Sequence, residues 1–134
     1  MKLRKANNND INRCLELLSE DDFRYCNGDF PEFGFISEFL NEYFYVLEED
    51  SEILGCYLAA KIFSSGVYLW YMVVDKKHRN KNFGSYILKE TEKIHKAEGK
   101  NWIYFISPLQ NIDFYTSRNY LPHHTQCKEF FKEI

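Results

Sequence analysis

The chain has 134 residues, the size of one domain, and a formal net charge of -3 at pH 7. This mild negative charge argues against general nucleic-acid binding. No window approaches the run of about 20 apolar residues that a membrane-spanning helix needs, and the amino terminus lacks the apolar stretch of a secretory signal. We therefore expect a single cytoplasmic domain over residues 1–134, with one hydrophobic core and no membrane partner.

Acidic residues are concentrated between Asp10 and Glu52. That segment holds thirteen acidic residues and only two basic ones, Arg13 and Arg24, whereas the other fifteen of the seventeen basic residues lie elsewhere. One half of the protein thus suits a cation and the other an anion, although ordinary solvated faces would give the same counts.

The chain has four cysteines, namely Cys14, Cys26, Cys56 and Cys127. They form no C-x-x-C pair with zinc or redox spacing. Cys127 lies close to His123 and His124, but adjacent histidines in a strand point to opposite faces. We expect free thiols and no metal site.

The first half of the chain predicts a short strand, two helices and a hairpin. Residues 2–6 form the strand, and Asp10 is a good N-cap for an amphipathic helix that ends in the acidic run at residues 20–22. A second short helix is predicted over residues 33–40. Apolar runs at residues 43–47 and 53–63, joined by a polar turn, indicate the hairpin.

The second half predicts a crossover between two parallel strands. Residues 67–74 are almost continuously apolar, as in a strand that is covered on both faces. A helix over residues 83–98 follows, with apolar side chains at Phe83, Ile87, Ile94 and Ala97, and Gly99 ends it. Residues 102–106 form the second buried strand. A short helix at residues 112–118 and a strand near residues 127–132 complete an α/β domain.

A basic loop joins the apolar strand to the long helix, with the sequence Asp75-Lys76-Lys77-His78-Arg79-Asn80-Lys81-Asn82-Phe83-Gly84-Ser85. Free N–H groups and the positive end of the dipole at a helix amino terminus attract anions. Gly84 removes a Cβ that would hold a phosphate away, and Asn82 tolerates the left-handed backbone of an anion nest. We predict that a pyrophosphate binds here; a solvated connection is the alternative.

Residues 74–84 resemble the acetyl-CoA loop of the GNAT superfamily of N-acetyltransferases, whose pattern is V-x-P-x-x-[RQ]-x-x-G-x-[GA]. Val74, Arg79 and Gly84 fit it, whereas Lys76 replaces the proline and Asn82 replaces the first glycine. Residues 111–120 similarly resemble the family's N…F-Y-x-x-x-G-F segment. The resemblance rests on the order of these elements along the chain, which is strand, loop, helix, strand and then a helix that contains Phe-Tyr.

The resemblance implies a mixed, mostly antiparallel sheet, with a central parallel strand pair splayed to admit CoA and helices on both faces. It also implies acetyl-CoA as co-substrate, with no metal. The cofactor-binding residues that it implies are Met72, Val73, Val74, Arg79, Asn80, Lys81, Asn82, Phe83, Gly84, Ser85 and Asn111.

The implied activity is transfer of an acetyl group from acetyl-CoA to a primary amine of a small molecule or peptide, by direct attack in a ternary complex. Tyr115 matches the family's general acid. The base stays open among Glu48, Glu49, Asp75 and ordered water. A non-catalytic CoA-binding sensor and an unrelated α/β interaction domain are the alternatives, and the protein is a monomer or a homodimer.

The acidic first half favours a cationic acceptor. Six of its aromatic residues either line the acceptor pocket or form core: Phe23, Tyr25, Phe30, Phe33, Phe35 and Tyr43.

Overall fold

The computed structural model describes residues 1–21, 30–122 and 132. The chain divides into two compact units, Met1–Tyr104 and Phe105–Ile134, which are described separately. Apart from Lys132, the strand predicted near residues 127–132 lies outside the described residues, as do Cys26, Cys127 and the two adjacent histidines. No helix in the described ranges is long and apolar enough to cross a membrane.

The first unit contains a five-stranded sheet whose strands lie side by side in chain order. The strands are β1 (Lys2–Lys5), β2 (Tyr43–Glu49), β3 (Glu52–Ile62), β4 (Gly66–Val74) and β5 (Trp102–Tyr104). The pairs from β1 to β4 are antiparallel, and β4 pairs with β5 in parallel. The predicted mixed, mostly antiparallel sheet is confirmed. β5 ends two residues before the predicted boundary.

Helices cover both faces of this sheet. The helices of the first unit are α1 (Ile11–Glu20), α2 (Phe33–Glu38) and α3 (Phe83–Ala97), and a 3-10 turn, Phe39–Asn41, extends α2. α1 and α2 pack on the face that includes Val46, Cys56 and Val73. α3 lies on the other face, where His95 hydrogen-bonds to Tyr57. Cys14 and Cys56 are buried and free, as expected.

The start of α1 differs from the prediction. Asp10 immediately precedes the helix, but its side chain makes no capping hydrogen bond to it. Its carboxylate instead accepts hydrogen bonds from the Arg4 guanidinium at 2.8 and 3.0 Å and from the Asn7 N–H at 2.8 Å. The Arg4 hydrogen bonds lower the pKa of Asp10. Asp10 therefore joins β1 to the turn before α1 rather than capping α1.

α3 ends as predicted but buries a different stripe. Gly99 has φ +79°, its N–H donates to Lys96 O, and the Lys100 N–H donates to His95 O, which together form a Schellman motif. The buried residues of the helix are Ile87, Leu88, Thr91 and His95. The predicted apolar stripe is thus partly wrong: Ala97 is exposed, and Phe83 and Ile94 are half-buried.

The second unit, in its described part, contains α4 (Ile112–Thr116), preceded by a 3-10 turn. The helix is slightly shorter than predicted. Arg118 follows it, and its guanidinium lies 3.8 Å from the centre of the Phe114 ring and donates to Phe114 O at 2.6 Å.

Candidate functional site

β5 pairs with β4 over its whole length of three residues and ends at Tyr104. The pairs are Gly66 with Trp102, Val67 with Ile103, and Tyr68 with Tyr104. β4 continues to Val74, but in the part of the chain that the structure describes its last six residues, 69–74, pair only with β3.

A β-bulge lies just beyond the last β4 residue that pairs with β5. Ala59 pairs with Leu69 and Leu58 with Tyr71, so Trp70 is the additional residue on β4. A bulge bends its strand and increases the local twist. The main-chain groups along the 69–74 edge that turn away from β3 need other hydrogen-bond partners.

Three of the predicted cofactor-binding residues, Met72, Val73 and Val74, form the end of this edge. Met72 pairs with Tyr57 and Val74 with Gly55, which places both on the α3 face, and both are half-buried. Val73 pairs with Cys56 on the opposite face and is buried.

The amino terminus of α3 has the backbone shape that the sequence predicted. Asn82 is left-handed, with φ 64° and ψ 18°, and its side chain makes no capping hydrogen bond. The first turn contains no acidic residue. The Tyr86 N–H donates to Asn82 O and closes the first turn of α3; N–H groups at the start of a helix point out along its axis. Asn80 also has a positive φ, 64°. The predicted left-handed Asn82 is confirmed.

Arg79 connects the basic loop to β4. Its Nε donates to Val74 O at 3.1 Å, and its guanidinium pairs with the Asp21 carboxylate. Lys81 lies beside His78, with Nζ 3.4 Å from Nδ1. Arg79 thus holds the loop predicted to bind pyrophosphate against Val74. Its positive charge is already paired with Asp21.

Sequence reasoning missed the ion pair that holds the start of the loop. The Arg13 guanidinium donates to the Asp75 carboxylate at 2.6 Å, and the Lys77 N–H donates to its other oxygen at 3.0 Å. Burial raises the pKa of Asp75, but the Lys77 and Arg13 hydrogen bonds outweigh burial, so its pKa lies below the ordinary value. No sequence signal links Arg13 to Asp75, because 62 residues separate them.

The candidate bases differ in their surroundings. Asp75 is ion-paired, and Glu48 accepts a hydrogen bond from Arg4 at 2.5 Å. Glu49 is exposed at the end of β2. The hydrogen bonds from Lys77 and Arg13 stabilise the charged form of Asp75 and weaken it as a proton acceptor. Glu49 and ordered water stay open as alternatives.

One group of side chains offers metal-ligand atoms. Oxygens of Glu52 and Asp75 and a ring nitrogen of His78 lie within 4.8 Å of one another. Both Asp75 oxygens already accept hydrogen bonds, from Arg13 and Lys77. A cation here would compete with the Arg13 guanidinium, so the residues fit a metal poorly.

Asn111 and Tyr115 belong to the second unit. Asn111 precedes α4, and its N–H donates to Pro108 O at 3.0 Å. Tyr115 is half-buried, with its ring centre 4.6 Å from that of Phe105, 5.0 Å from Phe114 and 5.8 Å from Tyr120. Burial raises the pKa of Tyr115, so its hydroxyl is protonated at neutral pH.

A pocket of about 270 Å³ opens on the α2 face of the sheet, and we call it the aromatic pocket. Its lining residues are Phe35, Glu38, Phe39, Glu42, Ala60 and Trp70. Of the aromatic residues proposed for an acceptor site, Phe35 lines this pocket, whereas Tyr43 is buried in the core and donates its hydroxyl hydrogen to Glu98. Phe23 and Tyr25 lie outside the described residues.

A family model described as an acetyltransferase (GNAT) domain matches residues 40–121, more than half of the chain. The matched range includes β2 to β5, the basic loop, α3 and α4. A search of curated proteins found no match.

Several solved structures share the fold at low sequence identity. Ard1 from Thermoplasma volcanium has a TM-score of 0.82 at 14% identity, over 92% of this chain and 84% of its own. Rv2747 from Mycobacterium tuberculosis, in complex with CoA, has a TM-score of 0.78 at 13% identity, over 96% and 76%. An aminoglycoside acetyltransferase from an uncultured soil metagenomic sample, in complex with sisomicin, has a TM-score of 0.68 at 18% identity, over 99% and 95%.

Proposed function

Because the chain belongs to the GNAT acetyltransferase family, we propose that it transfers the acetyl group of acetyl-CoA to a primary amine of a small molecule or peptide. The proposal takes residues 1–134 as one acetyltransferase domain and the transfer as direct attack in a ternary complex. Acetyl-CoA supplies the activated acyl group as a thioester.

The observation that carries this proposal is the β4 edge at residues 69–74, which among the described residues pairs with no strand other than β3. Pairing stops at Tyr68, while β4 runs on to Val74 and directly into the loop before α3. An extended, amide-bearing ligand along the 69–74 edge would supply the hydrogen bonds that β5 does not.

The loop residues fit a diphosphate at the end of this edge. Asn82 turns the chain into the amino terminus of α3, where the positive end of the helix dipole attracts an anion. Lys81 and Arg79 add positive charge, and Arg79 would exchange its Asp21 partner for phosphate oxygens. Met72, Val73 and Val74 would bind the extended, amide-bearing part of CoA. The other proposed cofactor-binding residues are Asn80, Phe83, Gly84, Ser85 and Asn111.

Transfer requires a neutral amine and a proton for the departing thiolate. A free alkylamine has a pKa of about 10, so its ammonium must lose a proton before attack. We propose that ordered water or Glu49 accepts that proton, because Asp75 and Glu48 are held in ion pairs. Tyr115, whose pKa burial raises, keeps its own proton for the thiolate.

Binding of acetyl-CoA, measured by calorimetry, tests the proposal. The wild type should bind, and Arg79→Ala combined with Gly84→Glu should abolish binding. The matched control combines Lys93→Ala with Gly34→Glu, which makes the same charge change at an exposed lysine and at a glycine with open space around it. Equal binding by both variants would show that the loop is not the phosphate site.

A CoA-binding sensor without transferase activity is the second candidate. Two observations favour it: β4 carries no acidic residue, and Asn82 stands where the family pattern has glycine. Thiol release from acetyl-CoA across a panel of amines separates the two functions. Binding without release with any amine would identify a sensor.

A further inference from the structure

We propose that the aromatic pocket binds a second, non-reacting positive charge of the acceptor, which makes the acceptor a small aliphatic diamine or polyamine. This inference rests on the proposed acetyltransferase function and names the substrate class of that site. It follows from the walls of the pocket, from its charge and from its position on β4.

Three aromatic rings form one wall. Phe35 lies 5.4 Å from Phe39 and 5.6 Å from Trp70 between ring centres, and Phe39 lies 6.3 Å from Trp70. All three contacts are edge-to-face. Phe39 is buried, but Trp70 is 44% exposed, so much of its indole surface is accessible. Indole is the aromatic group that attracts cations most strongly.

Two carboxylates complete the pocket. Glu38 is exposed, and Glu42 is half-buried, with one oxygen accepting the Lys61 backbone N–H at 3.1 Å. Neither carboxylate forms an ion pair with a lysine or arginine within the described ranges. The Lys61 ammonium lies over the Tyr43 ring, 5.9 Å from its centre. The pocket therefore combines an aromatic wall with two carboxylates that no described lysine or arginine pairs with.

The cation in this pocket cannot be the group that is acetylated. Carboxylates and aromatic faces stabilise an ammonium ion and raise its pKa. Attack on a thioester requires the neutral amine, so a nucleophile held between Glu38 and Glu42 would be deactivated. An acceptor with two amino groups resolves the conflict, because one remains charged in the pocket while the other loses its proton elsewhere.

The position of Trp70 connects the pocket to the proposed reaction site. Trp70 is the bulge residue, two positions after the last β4 residue that pairs with β5. A flexible chain with one end beside the indole can extend its other end towards the edge at residues 69–74. The spacing between the two amines would then determine which diamines react.

Binding is measured first, by tryptophan fluorescence in a Trp102→Phe background, in which Trp70 is the sole indole. 1,4-Diaminobutane should change the emission and bind at least about tenfold more tightly than uncharged 1,4-butanediol. Glu38→Gln with Glu42→Gln should remove that difference, while the exposed pair Glu20→Gln with Asp50→Asn, which changes the net charge equally, should preserve it. Calorimetry on the wild type provides the same comparison should Trp102→Phe not fold.

Acetyl transfer is measured second, with 1,4-diaminobutane and 1-aminobutane. The wild type should show a kcat/KM at least about tenfold higher for the diamine, and Glu38→Gln with Glu42→Gln should equalise the two. Transfer to both amines with equal efficiency would overturn the acceptor class and leave the transferase function standing. Carboxylate-dependent diamine binding without transfer to either amine would support a cation site but overturn the diamine as acceptor; only a failure of the whole amine panel to release thiol would refute the transferase. Diamine binding that is unchanged in Glu38→Gln with Glu42→Gln would overturn the pocket.

Discussion

The Arg13 guanidinium in α1 lies 2.6 Å from the Asp75 carboxylate at the end of β4. The carboxylate is almost fully buried, and its second oxygen accepts the Lys77 N–H, so this pair joins a helix on one face of the sheet to the first turn of the basic loop. The geometry of the proposed phosphate site thus depends on a residue far from it in the sequence.

Arg13→Ala should therefore destabilise the protein and weaken acetyl-CoA binding. It leaves the buried Asp75 charge without its partner, which costs about 2 kcal/mol of the free energy of unfolding. Because the folded pKa of Asp75 is lowered, this stabilisation is present above the ordinary aspartate pKa and is lost as pH falls through the folded value. Urea unfolding at neutral and acidic pH measures both effects. If Arg13→Ala is as stable as the wild type, the Arg13–Asp75 pair does not stabilise the protein.

Asn82→Gly should preserve or improve acetyl-CoA affinity, whereas Asn82→Val should reduce both affinity and stability. Asn82 has φ 64°, which glycine adopts freely and a β-branched residue resists at a cost of roughly 1–2 kcal/mol. Thermal unfolding and calorimetry check the pair. Equal behaviour of the two variants would mean that the left-handed turn is not needed.

Asp21→Asn should tighten acetyl-CoA binding several-fold. The Asp21 carboxylate pairs with Arg79, so the guanidinium must leave it to reach a phosphate. Asparagine keeps the size of the side chain and removes the competing charge. The adjacent, exposed Glu20→Gln is the control, since it makes the same charge change without touching Arg79. Titrations at several salt concentrations would show the effect; identical affinities in the two variants would rule out competition.

Tyr115→Phe should lower turnover by roughly 10²-fold and leave acetyl-CoA affinity nearly unchanged, because it removes the proposed proton donor and keeps the ring. Burial raises the pKa of Tyr115, so the alkaline decline in wild-type activity should lie above the ordinary tyrosine range. Steady-state rates against pH test both statements. Tyr120→Phe, an adjacent ring in the same cluster, is the control.

Because of His95, we expect the free energy of unfolding to decrease as the pH falls from about 7.5 to 5. Burial lowers the pKa of His95 to about 4, and its Nε2 is hydrogen-bonded to Tyr57 at 2.9 Å. In the unfolded chain this histidine takes up a proton near pH 6.5, whereas in the folded protein it does not. The free energy of unfolding is therefore highest above that pH and is lower by about 2 kcal/mol at pH 5.

His95→Gln should remove this dependence, and the loop variant His78→Gln should retain it. Glutamine keeps a hydrogen-bonding group near Tyr57 but does not titrate. Urea unfolding at pH values between these limits is the measurement. A pH dependence that persists in His95→Gln would assign the titration to another group.

The amino-acid sequence determined the features that depend on neighbouring residues. Apolar periodicity located the strands and helices to within a few residues, and the basic loop, the left-handed Asn82 and the Gly99 stop were all evident from local chemistry. These features depend on backbone preferences and side-chain spacing, which act over one or two turns of chain.

Only the tertiary structure determined the contacts between segments that are distant in the sequence. The bulge at Trp70 depends on the register of β3 against β4, and no residue type in this segment predicts it. His95 is buried because α3 turns that side to the sheet, although its sequence pattern favoured other residues. The pairing of Arg13 with Asp75 likewise needs α1 to pack beside the end of β4. Such relationships arise from packing between elements, so they exist only once the sheet and its helices are assembled.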